Sequence, residues 1–312
     1  EARGARLQSP SSTLAPAMEA EAACCREQRM VARLRACTAK PASSNASTLG
    51  THAITGGLGG LGIRAAEHVL SGASRVLLAS RSGRVVRDGQ GLAARLLSLG
   101  TAAAVAACDS ASAEAIHALL SITSLAGVLH TAGVGDKGLL VQLEAQPTEW
   151  MSAPKALGAW HLQCAAAAAP LEARVDFSSV GSGLGNVGQA SYAAANACLD
   201  AHAVSRRAHG TAACSVQWPL VGGAGMGAAA YAAMGAAQVT IAGLAGISLE
   251  EYAARLGRQL AAGAGAAWAV QVAHLSDVRE LLHDLADPSQ PRFGELLAQT
   301  KHTLSSVGPV TP

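Results

Sequence analysis

The chain has 312 residues and a formal net charge of +2; half of its residues are hydrophobic, yet only 3% are aromatic. A charge that small, on scattered Lys and Arg, makes no basic field and argues against nucleic acid as a partner. The length suffices for one large or two small domains, with a core of closely packed small side chains. The seven cysteines (Cys24, Cys25, Cys37, Cys108, Cys164, Cys198, Cys214) are odd in number and mostly fall inside expected strands or helices. Reduced, buried thiols in an intracellular compartment, cytoplasm or an organelle stroma, are the expectation. Cys24-Cys25 lacks the CxxC spacing of a zinc site, and no metal is expected.

Residues 1–48 are irregular in composition, with Ser and Pro near both ends and a possible helix over 18–35. Glu1 opens this stretch without an apolar core, so it does not read as a signal peptide, and a chain opening without Met is expected to be a segment of something larger. From Thr51 short apolar runs alternate with amphipathic ones. Strands are expected at 52–55, 74–79, 103–108, 126–130, 175–178 and 213–218, and helices at 60–70, 91–98, 112–120, 147–168 and 190–209. This alternation implies a parallel sheet covered on both faces by right-handed crossovers, a doubly wound α/β (Rossmann) domain. From Gly210 to Leu249 there is no Asp, Glu, Lys or Arg. Because its apolar residues are mainly alanine, interrupted by Gln217, Pro219 and Gln238, it reads as soluble chain rather than membrane span. The Gly/Ala-rich part, 222–246, is placed as a substrate lid. A helix at 248–260, an apolar run at 267–272 and a last helix at 275–285 follow.

The first strand runs directly into Thr55-Gly56-Gly57-Leu58-Gly59-Gly60-Leu61-Gly62, which opens a helix. Glycines at 56, 60 and 62 permit a tight turn and the approach of a pyrophosphate to the helix N-terminus, where unpaired N–H groups favour anions. Ser80-Arg81-Ser82 ends the second strand with no carboxylate to receive the ribose of NAD; an arginine there suits the 2′-phosphate of NADPH. Asp109 closes the third strand, where it either meets the adenine edge or caps the next helix. His130-Thr131-Ala132-Gly133 ends the fourth strand, its small residues letting the backbone pass beneath a ribose, with His130 read as structural.

Four residues carry the chemistry. Lys155 lies 24 positions before Ser179, Tyr192 lies 13 after Ser179, and Asn196 lies 4 after Tyr192. Ser179 ends a strand at the carboxyl edge of the sheet, while Tyr192 and Asn196 share one helical face. A tyrosine protonates a carbonyl oxygen only if its pKa, about 10 unperturbed, comes toward working pH, and Lys155 is the cation expected to do this.

These residues resemble the ketoreductase domain of modular polyketide synthases and the related reductase of animal-type fatty acid synthases, within the short-chain dehydrogenase superfamily. The resemblance runs from roughly residue 30 to 285 and includes Thr55–Gly62 in its GxxxGxG form, Ala79-Ser80-Arg81-Ser82-Gly83, Cys108-Asp109, His130 to Val134, Phe177 to Ser179, Gly188 to Ala197 and Trp218-Pro219. In most short-chain dehydrogenases the lysine follows the tyrosine by four positions; here Asn196 stands there and Lys155 lies upstream, the exchanged arrangement that looks like the synthase subgroup. The resemblance implies that Tyr192 protonates the carbonyl oxygen, Ser179 donates to the same oxyanion, Lys155 binds the nicotinamide ribose, and Asn196 holds Lys155 or a relay water. It adds Ser110 and Pro219 to a cofactor cradle formed by Thr55, Gly56, Leu58, Gly59, Gly60, Leu61, Gly62, Ser80, Arg81, Asp109, Thr131, Ala132 and Gly133. The implied activity is NADPH-dependent reduction of a β-ketoacyl thioester carried on an acyl carrier domain, with neighbouring synthase domains as further partners. The implied division is the end of a truncated structural subdomain or linker at 1–48, a catalytic domain at 49–290 and a linker at 291–312. Gly135-Asp136-Lys137 matches only the middle residue of the B-type Leu-Asp-Asp, and Leu184 stands where A-type members carry tryptophan, which tilts the product configuration toward B. A catalytically silent structural relative and a free-standing reductase of small carbonyl compounds remain the alternatives.

Overall fold

A computed structural model of the chain describes residues 22–25, 28–31, 33–35, 50–86, 89–135, 144–167, 171–185, 188–228, 246–262, 269–273, 277–285, 287–298 and 300. The chain forms two compact units. In the smaller one, β1 (Ala22–Cys25) and β2 (Gln28–Val31) form an antiparallel hairpin with Cys25 opposite Gln28 and Ala22 opposite Val31. This replaces the helix expected over 18–35. Helix propensity differs between Ala, Glu, Arg and their alternatives by only tenths of a kcal/mol per residue, a preference that backbone pairing overrides.

The larger unit is built on a seven-stranded sheet whose neighbouring strands all pair in parallel. Its elements are β3 (Thr51–Thr55), α1 (Gly60–Val69), β4 (Arg75–Ser80), α2 (Leu92–Ser98), β5 (Ala103–Ala107), α3 (Ala113–Ser121), β6 (Leu125–His130), α4 (Ala145–Ser152), α5 (Gly158–Ala165), β7 (Ala173–Ser179), α6 (Val180–Leu184), α7 (Ala190–Ala208), β8 (Cys214–Trp218), α8 (Leu249–Ala262) and β9 (Val270–Val272). The strand order is β5-β4-β3-β6-β7-β8-β9. Strand order reverses between β3 and β6, which opens a crevice at the carboxyl edge. In the smaller unit α9 (Val278–Asp284) follows, and Arg35 pairs with Glu295 at 2.9 Å while Leu34 N–H donates to the Arg292 carbonyl.

Side chains alternate across each strand, so neighbours feed opposite layers. Ile54, Leu78, Leu129, Val175 and Phe177 pack with α1 and α8 on one face; Ala53, Leu77 and Val128 pack with Ile116, Leu119 and Leu162 on the other. Few aromatics are needed, and three of them, Phe177, Trp218 and Tyr252, cluster with ring centroids 4.8–6.3 Å apart. The expected burial of the cysteines is corrected in part: Cys108 and Cys214 are buried, but Cys164 on α5 and Cys198 on α7 are exposed.

The single helix expected over 147–168 is three pieces. Between α4 and α5 the five residues Ala153–Leu157 form a π turn with Pro154 at its start. Pro154 has no N–H for the carbonyl four residues back, so the α ladder breaks, and a wide turn bridges the gap. Its carbonyls find partners outside the helix: Ser110 Oγ donates to Pro154 O at 3.2 Å, and His130 Nε2 lies 3.3 Å from Lys155 O. The base of the expected lid is pinned by a bridge between Val221 and Ile247, whereas 229–245, and with it most of the lid, lies outside the described residues. So do Asp136 and Lys137.

Candidate active site

The glycine-rich turn is built by backbone contact. Gly56 adopts φ of 69°, and a Cβ there would lie 2.6 Å from Ala132 N; at Gly62 it would lie 2.4 Å from Gly56 O. Gly57 N–H donates to Ala79 O and Gly59 N–H to Gly56 O, with Leu58 buried behind the turn and Leu61 O accepting from the Tyr252 hydroxyl. Gly59 caps α1 without a side-chain bond and no acid stands in the first turn, so its N–H groups face no competing anion of the helix itself. The bare face of Gly60 receives Gly225 N and Gln90 Oε1, at 2.3 and 2.4 Å from where a Cβ would be. Gln90 and the Gly225 backbone exchange two hydrogen bonds of 3.0 Å, tying the segment after β8, and Pro219 within it, across this turn. Neither residue has a sequence signature, because their pairing spans 135 positions.

At the end of β4 the Ser80 hydroxyl is buried with no partner among the described residues, and Arg81 is exposed beside it. An orphaned hydroxyl, an exposed guanidinium and an open helix start suit a phosphorylated dinucleotide. The next residues divide. Asp109 accepts from Ala111 N at 3.0 Å, and Ser112, not Asp109, caps α3. Ser110, expected in the cradle, is buried and spends its hydroxyl on Pro154. Thr55 Oγ1 lies 2.6 Å from His130 Nδ1 and its carbonyl accepts from the Thr131 hydroxyl, so Thr55 binds β3 to β6.

The π turn points Lys155 inward. The side chain is 3% exposed, its Nζ donates to Phe177 O at 2.8 Å, and the ammonium sits 5.7 Å from the centre of the Tyr192 ring. A Cβ on Gly133 would meet Lys155 Cε at 2.6 Å, so the bare glycine gives the end of the lysine stem its room. Tyr192 stands in the first turn of α7, where the side chains of Ser179 and Asn196 act on its phenol. Ser179 ends β7 and caps α6, its Oγ accepting from Gly181 N at 3.2 Å, which leaves its proton for another oxygen. Asn196 is fully buried; its Nδ2 donates to Tyr192 O at 2.8 Å, while its Oδ1 has no partner among the described residues. Its observed bond therefore goes to the tyrosine backbone rather than to Lys155.

Burial sets the electrostatics. It lowers Lys155 to about 8, opposed by the carboxylates of Asp176 and Asp200. It pushes the Tyr192 phenol up, with Asn196 and Ser179 drawing it back. In the cofactor-free site burial outweighs the two hydrogen-bonding neighbours and the phenol keeps its proton, the form an acid needs. His130, wholly buried, is lowered to about 4 and stays neutral, a strut between Thr55 and the π turn. Asp176 pairs with Arg174 at 3.1 Å, both side chains at most 1% exposed. No helix among the described residues is long and apolar enough to cross a membrane.

Residues 50–223 match the family model described as the KR domain. The chain belongs to the ketoreductase family. It is 45% identical over 177 residues to polyketide synthase GfsA of Streptomyces halstedii, covering 55% of this chain and 2% of that one. It is 40% identical over 220 residues to spectinabilin polyketide synthase system protein NorB of Streptomyces orinoci, covering 68% of this chain and 10% of that one. The ketoreductase thus spans a tenth or less of these relatives, which are large polyketide synthases. Among solved structures, an A1-type ketoreductase superposes with a TM-score of 0.72 at 30% identity, over 87% of this chain and 58% of the other. The first ketoreductase of the tylosin synthase does so at 0.68 and 32%, over 86% and 59%. Levodione reductase, at 18% identity and a TM-score of 0.60, shares the fold. The chain thus shares the Rossmann-type fold of the solved ketoreductases.

Proposed function

We propose that this ketoreductase uses NADPH to reduce a β-ketoacyl thioester, carried on an acyl carrier domain of its own synthase, to the β-hydroxyacyl form. The observation that carries the reading is the buried ammonium of Lys155, delivered by the upstream π turn to the face of Tyr192 beside Ser179. When bound, a dihydronicotinamide would supply the hydride that the carbonyl carbon accepts. As the C=O electron pair moves to oxygen, Tyr192 gives that oxygen its phenolic proton and Ser179 donates a hydrogen bond to it. Lys155 holds a ribose hydroxyl and offsets the charge left on the phenolate. Gly56 to Gly62 and Ala132-Gly133 hold the dinucleotide by backbone approach, and Arg81 with Ser80 takes the 2′-phosphate.

The test is NADPH oxidation followed with a carrier-bound β-ketothioester, the same acyl group as a free thioester, and a simple ketone. Faster turnover of the carrier-bound form supports the reading. Equal rates on free ketones favour a free-standing reductase, and NADPH binding without any turnover favours a silent structural domain. The configuration of the hydroxyl product tests the B-type reading.

A further inference from the structure

The face of α7 that bears Tyr192 and Asn196 continues to Asp200, each four residues after the last, a drift of about 40° per step on a helix of 3.6 residues per turn. Asp200 is the most heavily bonded carboxylate among the described residues of this region. Its Oδ2 accepts from Ser182 Oγ at 2.7 Å and Gln217 Nε2 at 2.8 Å, and its Oδ1 from Ser215 Oγ at 2.5 Å. These donors sit on α6, just beyond Ser179, and on β8. Ser182 Oγ also lies 2.8 Å from Ser179 O and 3.2 Å from Ser178 Oγ, and Ser178 Oγ reaches Asn196 O at 3.3 Å. A hydroxyl has one proton, and the charged acceptor at 2.7 Å takes that of Ser182, so the Ser178 proton is shared between Ser182 Oγ and Asn196 O, joining α6 to α7. Room for this is made locally: a Cβ on Gly183 would lie 2.9 Å from Gln217 Oε1.

We propose that Asp200 is a positioning residue for the reaction, locking the rotation of α7 against the turn after β7 so that the Tyr192 phenol and the Ser179 hydroxyl meet one carbonyl oxygen. Asp200 ties α7, which carries the acid, both to α6, which follows the oxyanion donor, and to β8. Asp200 touches none of the reacting atoms; it acts through Ser182, through the helix on which Tyr192 rides, and through the support its charge gives the Lys155 ammonium. The proposal rests on Tyr192 being the proton donor.

Asp200→Asn tests it, since the shape is kept while the charge is lost and one of the two acceptor oxygens becomes a donor. A misplacement of about 1 Å costs on the order of 100-fold. Asp200→Asn is therefore expected to lower kcat by about 10- to 100-fold, with NADPH affinity, read by fluorescence of the bound nucleotide, unchanged. In the cofactor-free protein, amide hydrogen exchange should quicken in the first turns of α7 and stay unaltered in β3 and β4. Adding Gln217→Glu returns a carboxylate opposite the new amide and should recover most of the loss. Unchanged kcat, absence of recovery in the double variant, or loss of NADPH affinity in step with kcat overturns the proposal. Where Asp200→Asn fails to fold, Ser182→Ala is read in its place, and wild-type kcat there overturns it equally. A wild type that binds NADPH but leaves the carrier-bound thioester unreduced sinks the activity reading itself, and this proposal with it.

Discussion

The two sides of the crevice are built on different principles. On the β6–β7–α7 side, Lys155, His130, Asp176 and Asn196 are all buried, and bonds from Phe177, Thr55, Arg174 and Tyr192 hold them. On the β4–β5 side, Arg81 and Asp109 are exposed and the Ser80 hydroxyl lacks a partner among the described residues. Groups that move charge during reaction gain from a fixed, water-poor setting, where no reorganisation is needed at the moment of reaction. Groups that only recognise a phosphate can wait in solvent and be ordered by the ligand. Substitutions on the first side should therefore strike turnover, and those on the second affinity.

The sharpest break of that contrast is Tyr192→Phe. With the phenolic proton gone, turnover should fall by about 100- to 10,000-fold, the scale of a general acid. NADPH should still bind, because the ring and its contact with Lys155 remain. Retained turnover removes Tyr192 from its role. Arg81→Ala probes the opposite rim: with charge-assisted bonds at about 1.5–3 kcal/mol each, the Michaelis constant for NADPH should rise roughly 10- to 100-fold, and that for NADH little. Equal effects on both cofactors would falsify recognition of the 2′-phosphate by this residue.

Pro154→Ala tests the buried side by a route that touches no reacting group. Restoring an N–H at 154 lets the ladder close as an α-helix, which turns Lys155 away from Phe177 and Tyr192. About a tenfold loss of kcat is expected, by analogy with other small misplacements of catalytic groups. The melting temperature should hold or rise. A lower melting temperature with kcat intact would mean that the wide turn serves folding alone.

Pro154 also shows where sequence reasoning stops short. The sheet was legible because its information is local: apolar runs of strand length separated by amphipathic ones, with β3 to β8 overlapping the six expected ranges and β9 falling in what was read only as an apolar run. The glycine turn and the Lys, Ser, Tyr, Asn spacing were legible as a motif. The break in the helix had a signal, a proline well inside the expected span, but its consequence depends on Ser110 and His130 meeting the carbonyls of Pro154 and Lys155 from 44 and 25 positions away. The hairpin at 22–31 had no usable signal, since its residues favour helix and only pairing decides against it. The upward push on the Tyr192 phenol had no signal for a similar reason. Proximity of a cation can be inferred from a motif, whereas the desolvation of a phenol depends on everything packed around the ring.

The smallest expected effect reads that desolvation directly. His130 is held at about 4 against an ordinary 6.5, so between these values the unfolded chain binds a proton that the folded protein refuses. Stability must then rise with pH through the window and be lost as pH falls from 6.5 toward 4. At about 1.4 kcal/mol per unit of pKa, His130 accounts for up to about 3 kcal/mol of that loss. His52, His68 and His202 are lowered in the same direction and add to it. Urea unfolding across this window should give a shallower decline for His130→Gln than for the wild type, because glutamine can reach Thr55 and the Lys155 carbonyl without titrating. Parallel declines would place the acid sensitivity on the other histidines and free the strut beneath Lys155 from any electrostatic cost.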